Sequence, residues 1–235
     1  MKMPGTTVFE RDRTAVQVQS EFIRRVFNWM ALGLGATAVS ALLAANSGLV
    51  YSLLKHPMFM LLLVVGEFGI VVALSAAIQR IGSATALFMF FVYAALTGVT
   101  FSTLFLIYTK GSIAGTFFIT GGTFAAMSLY GYTTRRNLAS LGGFLMMGLI
   151  GIILASVVNF FLRSSAFEWM ITYAGIAVFI GLTAYDAQAI KAMAYAGFAG
   201  SEEERKGAII GALRLYLDFI NLFLLLLRVL GRRNN

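Results

Sequence analysis

Cysteine is absent from the 235 residues. That absence excludes disulfides, thiolate catalysis and cysteine-ligated metals together, and it leaves the redox compartment open. Histidine occurs once, as His56 beside Pro57 at a loop-to-helix boundary, which suits an interfacial residue better than a metal ligand. No nucleophile motif is present, and the glycines between Gly115 and Gly122 lie within an apolar stretch rather than a phosphate loop. A membrane enzyme is therefore the weakest functional reading, and no cofactor is expected. Charge is scarce too: 12% of residues are charged and 59% hydrophobic, against about a quarter charged in an ordinary globular protein. A soluble domain is excluded. The first 20 residues hold Glu10, Arg11, Asp12 and Arg13 where a signal peptide would need its apolar core, so none is expected.

The net charge of +8 does not point to nucleic acid, because the basic residues stand singly between apolar runs and form no stripe. They read as topological anchors at helix ends. What fills the chain is apolar. Spans are expected at roughly 26–47, 57–79, 84–108, 112–133, 138–162, 166–189 and 208–230, each long enough at 1.5 Å per residue to cross about 30 Å of hydrocarbon. The fold class is an all-α integral membrane protein with seven transmembrane helices. Residues 1–22 read as a mobile polar tail, and 23–235 as a single seven-helix domain in contact with the lipid bilayer. Connections are short, except the charged sixth one at Ser201, Glu202, Glu203, Glu204, Arg205 and Lys206. Neither β-barrel alternation nor an internal repeat is visible.

Lys and Arg favour an amino terminus on the cytoplasmic side. The tail, Arg80, Arg135, Arg136, Lys191, Arg205 and Lys206 would lie inside, against Lys55, Lys110, Arg163 and the basic carboxyl end outside. The carboxyl terminus is then expected outside, although Arg232 and Arg233 leave room for a re-entrant last segment. Small residues such as Gly98, Gly121, Gly122, Gly142 and Gly143 are explained by close helix packing.

The last span organises the rest. Gly207, Gly211, Arg214, Asp218 and Asn221 follow at helical spacing and so share one face. Leu215, Leu217, Ile220, Leu222, Leu224 and Leu226 mostly cover the remaining girth. A narrow seam of small and charged residues needs protein partners. Ionisable groups inside the spans are Glu67, Asp186, Arg214 and Asp218, with Arg80 at the inner end of the second. A charge at bilayer centre costs about 2.5–3.5 kcal/mol, so such groups usually face protein or water and often carry function.

Arg214 and Asp218 are four residues apart and could neutralise each other within their own helix. Asp186 has no such local rescue, since Lys191 is five residues on and well round the helix. Its partner must come from elsewhere, provided the sixth helix continues through Ala189 to Met193. Arg80 matches it in depth. Glu67 lies higher, as a candidate pathway residue or a buried protonated acid. If Asp186 and Asp218 meet in a poorly solvated site, both cannot ionise easily and one proton is shared. Arg80 or Arg214 nearby would oppose that. Such a cluster responds to pH and attracts hard cations, for which carboxylate oxygens are natural ligands. The residues alone leave the ion open.

The same residues carry a resemblance. Leu182-Thr183-Ala184-Tyr185-Asp186-Ala187-Gln188-Ala189-Ile190-Lys191 and Leu215-Tyr216-Leu217-Asp218-Phe219-Ile220-Asn221-Leu222-Phe223 resemble the signature of the Bax inhibitor family, in its bacterial branch. Phe27-Asn28-Trp29-Met30 and Ser128-Leu129-Tyr130-Gly131-Tyr132-Thr133 fit that branch too. The resemblance implies six helices around a more hydrophilic seventh, a bacterial inner membrane, and a pH-sensitive Ca²⁺ leak governed by a di-aspartyl pair. Carried over, the pair is Asp186 and Asp218, which would also meet passing Ca²⁺. Arg80 matches a basic residue of the second helix that can lock the first Asp. Arg214 lies outside the motif and would tune the pair, and the position of Glu67 is shifted against it. Asn221 joins Glu67 as a candidate pathway residue.

Three functions compete. A proton-gated cation leak predicts downhill Ca²⁺ flux altered by Asp186→Asn or Asp218→Asn. A regulator that binds a membrane protein, such as a membrane protease or cell-death machinery, would use the amino-terminal tail as its handle. A proton-coupled transporter would require uphill solute movement, and no inverted repeat or broken helix supports it.

Overall fold

The computed structural model describes residues 6–194 and 201–234. Its described elements are helices: α1 (Thr6–Asn46), α2 (Leu49–Lys55), α3 (Pro57–Ala77), α4 (Ser83–Phe101), α5 (Leu104–Ile107), α6 (Lys110–Thr133), α7 (Ala139–Leu162), α8 (Ser165–Ala194) and α9 (Glu202–Leu230). Seven stretches are long and apolar enough to cross a membrane, α4 and α5 together making one of them. The expected all-α, seven-span class holds. The short helix α2 occupies a connection that reads as loop, whereas α5 falls within the expected third span, which the structure breaks after Phe101.

Local chemistry sets the boundaries. Gly48 adopts φ 78 between α1 and α2, a left-handed turn that glycine takes without steric cost. Pro57 opens α3 from His56, where its missing N–H costs nothing. Thr109 caps α6 by accepting the Ser112 N–H at 3.3 Å. Acidic residues occupy the first turn of α9 and Arg228 its last, each complementing the helix dipole. The polar stretch from Thr6 is helical and continuous with the first span. No proline or glycine interrupts the chain between Thr6 and Leu32, so nothing stops the helix from propagating outward. α8 continues to Ala194, as the depth of Asp186 required.

The chain divides into two compact units, Met1–Thr100 with Ile190–Leu213, and Phe101–Ala189 with Arg214–Asn235. In the first, α1 and α4 approach at Gly98, where a Cβ would overlap Ser40 Oγ and the Thr37 carbonyl. Thr37 Oγ1 donates to the Ala94 carbonyl at 2.9 Å across that contact. A Cβ on Gly211 of α9 would stand 3.3 Å from Val26 and Ile190, and one on Gly207 would stand 3.6 Å from Phe22. The small residues of the seam thus face helices, as their spacing required. The first turn of α9 is tied down by Ser83 Oγ donating to Glu202 at 2.9 Å and by Arg25 facing Glu204 at 3.6 Å.

In the second unit, Leu145, Phe179, Leu182 and Leu222 form the core, and Phe117 and Phe124 pack on Phe219 at 5.2 and 5.5 Å between ring centres. The residues after α9 fold back on the α5–α6 turn: Thr109 N–H donates to the Arg232 carbonyl at 3.0 Å, and Asn234 N–H to that of Ile107 at 2.9 Å. The end of the last helix therefore lies with the turn that ends the third span. α9 is the most buried span, 61% of its apolar stretch against at most 33% in any other. α3 and α7, at 6% each, turn nearly their whole girth outward, as lipid-facing helices do.

Candidate functional site

Asp186 and Asp218 meet. Both belong to the second unit, and their side chains are close enough to interact. Ionised carboxylates only accept, so a hydrogen bond between the two would need one proton on the pair. Asp218 is 5% exposed, and its Oδ2 has no hydrogen-bond partner among the described residues. Arg214 Nη1 stands 3.8 Å from Asp186 Oδ1. That separation is too long for a hydrogen bond and is an attraction of charges. The three groups carry no net charge with one proton on the pair, and one negative charge without it.

Packing holds Asp186 in register. A Cβ on Gly131 of α6 would overlap the Ala184 carbonyl, and one on Gly142 of α7 would come within 2.5 Å of the Tyr185 ring. The two residues preceding Asp186 are thus clasped by two glycines, one on each neighbouring helix. Gln188, half a turn beyond, accepts from Leu138 N–H at 2.7 Å and donates to the Arg136 carbonyl at 2.9 Å, pinning the α6–α7 turn to α8. On α9, Phe219 beside Asp218 is fixed by Phe117 and Phe124.

Other expected residues fall elsewhere. Arg80 stands exposed in the turn after α3, in the first unit, whereas the cation held against Asp186 is Arg214. Arg214 reaches Asp186 on the neighbouring helix while still acting on Asp218 of its own, because a long guanidinium stem reaches past its own turn. Glu67 forms a separate polar cluster in the first unit, accepting from the Thr97 hydroxyl at 3.5 Å and from the Thr100 hydroxyl. Asn221 donates to the Leu217 carbonyl of its own helix at 2.8 Å.

One contributor escaped the sequence: Gln188 lies inside the motif but its role depends on a turn that folds back. Among the described residues no three His, Cys, Asp or Glu side chains stand together. Ca²⁺ takes 6–8 oxygens, so two carboxyls offer a passing hold rather than a resident cage.

A family profile described as "Inhibitor of apoptosis-promoting Bax1" matches residues 19–235. The inner membrane protein YbhL of Escherichia coli K12 is 47% identical over 230 residues, covering 96% of this chain and 98% of the relative. An uncharacterized protein of Borreliella burgdorferi is 44% identical over 226 residues, covering 96% and 97%. An uncharacterized membrane protein of Streptococcus pyogenes is 31% identical over 218 residues, covering 92% and 94%.

Proposed function

The chain belongs to the Bax inhibitor family of multi-pass membrane proteins, and from that premise we propose that it is a pH-sensitive leak for Ca²⁺ or a similar cation. A proton shared by Asp186 and Asp218 governs the leak. The observation that carries this reading is the buried carboxyl pair with Arg214 at 3.8 Å. With its proton, the pair is bonded and the cluster is neutral. Loss of the proton leaves two carboxylates that repel and one uncompensated negative charge, which draws a cation to the opening helices. Arg214 limits that repulsion. Glu67 with its two threonine hydroxyls, and Asn221, are further polar stations for a cation on its way, and Arg80 stands ready at the end of the second span. The amino terminus is cytoplasmic on this reading and the carboxyl terminus is on the far side.

The test is Ca²⁺ flux into liposomes carrying the purified chain, measured at several pH values. Asp186→Asn and Asp218→Asn are each expected to abolish the pH dependence. Flux that keeps its wild-type pH profile in both variants removes the pair from the mechanism. The family's association with inhibition of apoptosis supports a second reading, a membrane-embedded regulator of a partner protein. That reading requires Asp218→Asn, having lost the pH dependence of flux, to retain its effect in the cell, and removal of residues 1–20 to abolish it.

A further inference from the structure

A cavity of about 400 Å³ lies along α1, lined by Glu21, Arg24, Arg25, Asn28, Trp29 and Leu32. Steps of three and four residues put all six on one stripe of the helix. At 1.5 Å per residue, Arg24 is about 4.5 Å deeper than Glu21, and Leu32 about 12 Å deeper than Arg24. The stripe therefore runs from a carboxylate, through two guanidiniums, to an amide, an indole and an aliphatic side chain. Leu32 is 54% exposed, so the deep end opens to hydrocarbon. Trp29 is braced edge-on by Phe91 of α4, 6.0 Å between ring centres, which keeps one wall of the cavity in place.

The charges are available in an ordered way. Arg25 is engaged by Glu204 at 3.6 Å. Arg24 is exposed and has no acidic partner among the described residues, and Glu21 has no basic one. An exposed cation one turn below an exposed anion, above an indole and a lipid-facing leucine, repeats the order of groups in a phospholipid whose phosphate carries a terminal ammonium. We propose that this stripe is a binding site for one phosphoethanolamine lipid. Arg24 holds the phosphate, Glu21 receives the ammonium, Asn28 and Trp29 meet the glycerol esters, and Leu32 lies along the acyl chain. Arginine suits phosphate through its fork of N–H donors. A lipid with only a negative headgroup would meet Glu21 as a repulsion, and one with a quaternary ammonium could not donate hydrogen bonds to it.

The test uses the full chain, stripped of lipid in detergent and titrated with phosphatidylethanolamine, phosphatidylglycerol or phosphatidylcholine of identical chains. The first bound lipid is followed by native mass spectrometry. Phosphatidylethanolamine is expected to bind tightest, and Arg24→Gln to weaken it about fivefold, the effect of one cation near a lipid headgroup. Glu21→Gln is expected to erase the preference over phosphatidylglycerol. Brominated acyl chains should quench Trp29 in a Trp169→Phe background, and less so in Arg24→Gln. Equal affinity for the three headgroups, or unchanged binding in Arg24→Gln, overturns the proposal. So does a preference for phosphatidylglycerol that is indifferent to Glu21→Gln, which indicates a simple anionic-lipid surface. Displacement of the lipid by inorganic phosphate at equal concentration overturns it too, since the site would then read free phosphate.

Discussion

Arg214 is the residue whose role turns on the fold. Its side chain is 45% exposed while that of Asp186 is 13% exposed, so their attraction is partly screened and contributes about 1 kcal/mol or less. Its larger effect is on charge balance at the carboxyl pair. A double-mutant cycle with Arg214→Gln and Asp186→Asn separates the two. Each single change is expected to lower the thermal midpoint in detergent slightly, and the double variant is expected to lose no more than the worse single. Additive losses would mean that the two side chains act independently and that Arg214 does not tune the pair. The sequence offered both Arg80 and Arg214 as cations for the pair, and it did not distinguish an ion pair of Arg214 with Asp186 from one with Asp218, four residues on. The isolation of Asp186 was legible, because its own helix offers it no cation at helical spacing.

Between elements, closeness is set by hydrogen atoms where side chains would be. Gly131 lets α6 lie against the Ala184 carbonyl, two residues before Asp186. Gly131→Ala is expected to push α6 from α8 and to cost about 1–3 kcal/mol as an overpacked contact, read as a fall in thermal midpoint together with a changed flux profile. Gly121→Ala is the control on the same helix. A Cβ there meets nothing within 4 Å, so it should leave both unchanged or raise stability slightly. Equal behaviour of the two variants would show that the close approach at Gly131 does not position the pair. Both glycines look alike in the sequence, each amid small and aromatic residues. Only the neighbour across the gap distinguishes them.

At the scale of the molecule, topology is the testable quantity, and the absence of cysteine makes the background silent to thiol reagents. Single cysteines at Gly82 and Glu203 should react with an impermeant maleimide from one side of the membrane, and those at Thr109 and Asn234 from the other. The pairing of Arg232 and Asn234 with Ile107 and Thr109 requires the second couple to agree. Labelling of Asn234→Cys together with Glu203→Cys would return the last segment to a re-entrant path. On the proposed topology the first couple is the cytoplasmic one, as the positive-inside bias favours.

Composition by itself determined the class, because 59% hydrophobic residues with 12% charged ones cannot fold in water as a single soluble core. Helical phase determined that Asp186 needs a partner from another helix, since its own offers no cation at helical spacing and an unpaired charge in hydrocarbon is costly. What tertiary structure decided was who that partner is. Contact between α8 and α9 depends on which faces approach, and that is settled by glycines meeting carbonyls and rings on other helices, far away in sequence. It also decided where the last helix ends, because the hydrogen bonds that hold Arg232 and Asn234 come from a turn more than a hundred residues earlier.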